Sequence, residues 1–62
     1  MVEQGQVYRC GKSPVSQAVL VLEVEKAPMG GFLVKFVNIH GNSVRQTSLS
    51  NFARAYPYRE GE

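Results

Sequence analysis

Cys10 and His40 are the single cysteine and the single histidine of the chain, and between them they offer its one nucleophile-and-base combination. Neither is expected to serve that way. Cys10 ends a short alternating run and should pack as an inert small hydrophobe, while His40 opens a His40-Gly41-Asn42 turn that should be solvated. Carboxylate chemistry is just as thin. The chain has no aspartate, and Glu3, Glu25, Glu60 and Glu62 fall at the termini or at a strand end, away from the enclosed setting that general acid–base work needs. One histidine without a cysteine pair does not make a tetrahedral zinc site. Met29-Gly30-Gly31-Phe32 has the glycines of a phosphate loop but neither the lysine nor the helix that should follow. The expectation is a non-catalytic protein with no metal and no cofactor.

Binding chemistry is better supplied. Net charge is +2, and the acidic residues gather at the two ends. From Arg9 to Arg59 seven basic residues face only Glu23 and Glu25, giving a moderately basic body. Small barrels hold nucleic-acid strands by stacking bases on aromatic rings beside a basic groove. The residues expected to do this are Arg9, Lys35, Arg45, Arg54 and Arg59, with Tyr8 and Tyr58 as stacking platforms. The basic residues serve solubility equally well if they are dispersed over the surface.

These side chains must be positioned by short strands. Residues 6–10, 17–26, 32–39 and 43–48 read as four strands, separated by Lys12-Ser13-Pro14, by Ala27-Pro28-Met29-Gly30-Gly31 and by the His40-Gly41-Asn42 turn. Leu49, Phe52, Ala53 and Tyr56 then recur at helical spacing, with Ser48 or Ser50 to cap the start and Pro57 to stop the run. The predicted fold is all-β: a small antiparallel SH3-like barrel of four to five strands, with one C-terminal helical turn at about 49–56 plugging its end. Plain alternation puts Val7, Leu20, Leu22, Val24, Phe32, Val34, Phe36, Leu49, Phe52 and Tyr56 in its core.

Strands 17–26 and 32–39 are apolar on both faces, since Val19 and Val21 alternate with Leu20 and Leu22, and Leu33, Val37 and Ile39 alternate with Phe32, Val34 and Phe36. An antiparallel sheet with one wet face should alternate cleanly, so the second face needs a cover. Tight curling supplies one. A protein partner or a second copy of the chain supplies another, with Val19, Val21, Leu33, Val37 and Ile39 as the expected interface. At 62 residues the chain is near the lower limit for independent folding, and a lone cysteine provides no internal disulfide, which also favours self-association.

Gly5-Gln6-Val7-Tyr8-Arg9, the Val-Leu-Glu-Val and Phe-Leu-Val-Lys-Phe strands, and Ser48-Leu49-Ser50-Asn51-Phe52 with Tyr56 resemble the small SH3-like barrel proteins of bacteriophages and mobile elements. The resemblance implies an accessory or regulatory binding module without catalysis, and it transfers no functional residue. Barrel-type plasmid dihydrofolate reductases are similar in length, but their pore-lining Val-Gln-Ile-Tyr segment is replaced here by Val44-Arg45-Gln46-Thr47. The unpaired thiol and the absence of a basic, apolar leader at Met1–Gly5 suggest a cytoplasmic protein. No apolar run approaches the roughly 20 residues needed to cross a bilayer.

Overall fold

The computed structural model describes residues 2–61. Five strands and one helix follow in the order β1 (Val7–Arg9), β2 (Ala18–Lys26), β3 (Phe32–Asn38), β4 (Val44–Ser48), α1 (Leu49–Ala55) and β5 (Tyr58–Arg59). They form one antiparallel sheet with the spatial order β4-β3-β2-β1-β5. The fold is therefore of the expected all-β class, with the short helix joining the two edge strands.

Local chemistry accounts for the element boundaries. Gly30 and Gly31 take φ of +99° and +74° in the β2–β3 hairpin, a region that side chains disfavour, and Ala27 N–H closes the loop on the Gly31 carbonyl at 3.0 Å. After β3, the Asn38 side chain accepts from His40 N–H at 2.9 Å and its carbonyl accepts from Gly41 N–H, also at 2.9 Å. Ser48 caps α1, its hydroxyl accepting from Asn51 N–H at 3.3 Å, and Pro57 bars continuation beyond Tyr56.

The core lies between the helix and one face of the sheet, centred on Phe52. This ring is fully buried and meets Tyr8, Phe36 and Tyr56 at centroid separations of 5.6, 5.2 and 5.2 Å. Val2, Val19, Val21 and Val34 complete the cluster, with Val24, Leu49 and Tyr56 packed around it.

Which face of β2 turns inward differs from the alternation reading. Val21 pairs with Phe36 and Glu23 with Lys35, so Leu22 is an extra residue and β2 carries a bulge. Before the bulge Val19 and Val21 face the core. After it Val24 does, beside Val34. Alternation carried backward from Val24 therefore selects the wrong residues, and Leu20 and Leu22, together with Val7, are only half-buried. Phe32, at the hairpin end of β3, is 41% exposed rather than core. The aromatic side chains decide the matter: Tyr8 pairs with Val19, Phe36 pairs with Val21, and both rings lie against Phe52.

Tyr8 is consequently a core residue, and its hydroxyl accepts from Glu3 N–H at 2.9 Å, tying the N-terminal segment down. Tyr8→Phe should lower stability by about 1 kcal/mol without changing the fold, measured by urea unfolding monitored by circular dichroism. An unfolding midpoint indistinguishable from wild type would show that the hydroxyl contributes nothing to stability.

Candidate interaction surface

The face of the sheet turned away from α1 is built by register. Val7 pairs with Leu20, Leu20 with Val37, and Val37 with Val44, so one row of four aliphatic side chains crosses β1, β2, β3 and β4. Each of the four alternates with a neighbour on the core side or lies opposite a residue that does. Val7, Leu20 and Val37 are half-buried, and Val44 is 56% exposed at the sheet edge. Ile39, 41% exposed, follows Val37 at the end of β3, and Leu33 lies on the same face farther along that strand, beyond Lys35.

Polar groups frame this row on one side. Glu23 lies beside Lys35, Lys35 lies beside Gln46, and the Gln46 amide donates to Glu25 at 2.9 Å. On the other side the chain covers itself. Arg9 lies beside Ala18, and its guanidinium donates to the carbonyls of Pro14 and Ser16 at 3.1 and 3.0 Å, which holds the 10–17 loop in place. Ala18 is buried there although it lies outside the Phe52 cluster. The uncovered part of the face therefore runs from the aliphatic row toward Glu25.

The expected interface residues separate accordingly. Val19 and Val21 are each 1% exposed and belong to the core, because the bulge at Leu22 and the rings of Tyr8 and Phe36 turn them inward. They are not available to a partner. Leu33, Val37 and Ile39 lie on the open face, where Val7, Leu20 and Val44 join them. Those three were missed because the row exists only once four strands are in register. Val44 alone left a local trace, as an aliphatic residue leading an otherwise polar strand.

The expected nucleic-acid set is dispersed. Tyr8 is buried under Phe52 and offers no stacking surface, a correction that follows from its place opposite Val19. Arg9 closes on the Glu60 carboxylate at 2.6 Å, and Arg59 pairs with Glu3 at 3.3 Å. Such part-exposed pairs contribute less than about 1 kcal/mol each, yet they occupy both guanidiniums. Tyr58 pairs with Arg9 across β5 and β1, and the ammonium of Lys12 sits 5.7 Å from its ring centroid. Arg9, Lys12, Tyr58 and Arg59 thus share one groove with Glu60. Lys35 is on the open face. Arg45 lies beside Phe36 on the helix side, near Tyr56, and Arg54 is exposed on α1. Five basic residues on different sides do not form one strip.

Cys10 is exposed, contrary to the buried packing expected of it, because β1 ends at Arg9 and leaves the thiol in the following bend. His40 is exposed in its turn. Among the described residues no group of three histidine, cysteine or carboxylate side chains is placed to hold a metal ion. No described helix is long and apolar enough to cross a membrane. Compared with protein-family models, curated proteins and solved structures, the chain matches none of them.

Proposed function

We propose that the protein is a non-catalytic binding module that meets another protein surface through the open face of its sheet. The observation that carries this reading is the aliphatic row Val7, Leu20, Val37 and Val44, aligned across four strands on the face turned away from α1, half-buried in β1, β2 and β3 and exposed at Val44. A solvated sheet face normally carries polar residues at such positions. A continuous apolar row in a chain this small is held at a cost in solubility, and contact with a partner offsets that cost.

Nucleic-acid contact through a basic face is the rival reading, and one experiment addresses both. A photo-cross-linking residue placed at Val44 should yield protein adducts in cells, and the same residue at Arg54 should yield far fewer. Labelled single- and double-stranded oligonucleotides should bind weakly or not at all at about 50 mM salt. Tight binding that falls at least about tenfold between about 50 and about 200 mM salt, with no protein adduct at Val44, would overturn the proposal in favour of phosphate recognition.

A further inference from the structure

We infer that the occupant of the open face is a second copy of this chain, packed sheet against sheet about a two-fold axis parallel to the strands between β2 and β3. This rests on reading that face as a protein-binding surface, and it adds which protein and in which orientation. Homo-oligomers usually assemble through a self-complementary patch, so the question is whether this face is complementary to itself.

The register answers it. An axis along the strands lays β2 over β3 of the second copy and β1 over its β4, so each row falls on its own counterpart. The row Val7, Leu20, Val37 and Val44 then meets the same four residues in reverse order, and aliphatic surface is covered by aliphatic surface. In the next row, Glu23 lies beside Lys35 within one chain. The same axis brings Glu23 over Lys35 of the second copy, and Lys35 over its Glu23. Two symmetry-related ion pairs result at the edge of an apolar strip.

The other two-fold available to stacked sheets lies along the aliphatic row. It matches that row too, but it sets Glu23 over Ala18 and Lys35 over Ile39, because Ala18 and Ile39 share the row on the far side. Lys35 would be desolvated opposite the exposed aliphatic side chain of Ile39, and Glu23 would meet the 10–17 loop over the buried Ala18, so the ion pairs between copies are lost. Charge placement therefore selects the axis parallel to the strands.

Size sets the strength. Four strands about 4.8 Å apart and three rows about 6.8 Å apart span roughly 400 Å², and roughened by side chains this amounts to on the order of 1,000 Å² of accessible surface over both copies. That is the lower limit for a specific interface, so the dimer should be reversible, with a micromolar dissociation constant.

Sedimentation equilibrium of the full chain up to about 200 µM tests this. The wild type should dissociate in the micromolar range, and Val44→Asp should weaken the dimer at least about tenfold while its circular dichroism spectrum stays unchanged. Glu23→Lys sets lysine over lysine across the axis, Lys35→Glu sets glutamate over glutamate, and each should weaken association several-fold. An equimolar mixture of these two variants should recover a heterodimer, since each copy supplies the charge the other lacks. Within each variant chain positions 23 and 35 still carry like charges, so recovery reports the contact between copies and not the fold. A wild-type monomer at the highest concentration, a dimer indifferent to Val44→Asp, or a mixture that fails to recover would each overturn the inference. A monomer whose Val44 cross-linker still captures a different protein removes the second copy and leaves the open-face reading intact, whereas no protein adduct at Val44 removes both.

Discussion

Phe52→Ala is expected to leave the chain unfolded at room temperature. Phe52 is fully buried and is the ring on which β1, β3 and the end of α1 converge through Tyr8, Phe36 and Tyr56. Truncating a buried phenylalanine removes its transfer free energy and leaves a cavity, at a combined cost of about 3–5 kcal/mol. A domain of this length has a total stability of only about 3–9 kcal/mol, so one substitution consumes much or all of it. The site is also poorly able to collapse, because α1 has just seven residues and is held at its start by the Ser48 cap. Urea and thermal unfolding followed by circular dichroism give the answer directly. A cooperative transition retained within about 5 °C of wild type would show that Phe52 is not the centre of the core.

Adjacent substitutions in β2 should have opposite consequences. Val21→Asp is expected to abolish folding, since Val21 is 1% exposed against Phe36 and a carboxylate there has no described partner to offset its desolvation. Leu20→Gln, one residue earlier, faces the open side and should shift stability by less than about 1.5 kcal/mol. Uninterrupted alternation along β2 predicts the reverse, with Leu20 inside and Val21 outside. Thermal melts of the two variants therefore test the bulge at Leu22 as well as the face. If Leu20→Gln unfolds the chain and Val21→Asp spares it, the core lies on the other side of the sheet.

The contrast between these two residues also shows where the amino-acid sequence stops being sufficient. The strands and the helix are legible because their boundaries are local chemistry. Gly30 and Gly31 admit the positive φ of a hairpin, Asn38 and Gly41 shape a turn, Ser48 caps a helix, and Pro57 ends it. Phe36, Phe52 and Val34 could be assigned to the core because bulky apolar residues at those spacings satisfy both local periodicity and burial. The two-sided apolar character of β2 and β3 likewise signals a second face that needs a cover.

What remained undetermined depends on pairing between distant residues. The bulge at Leu22 is a property of two strands together, as it exists only relative to Phe36 and Lys35 on β3. Its effect is large because the side-chain period of a strand is two, so one extra residue exchanges the buried and the open sets. Tyr8 is a core residue and offers no stacking platform, and nothing within Tyr8-Arg9 reveals that Phe52 will lie against the ring. The pairing of Arg9 with Glu60 spans 51 positions, and β5 is two residues long, too short for any periodicity to announce it. The basic residues are close in composition but dispersed in space, because strand direction and register send Lys35 to one face and Arg45 to the other. The sequence by itself determined four of the five strands and the helix, with their ends to within a residue. Only the tertiary structure decided which face is the core and which four aliphatic residues align on the open one, because both follow from the register of strands that are not neighbours in the chain.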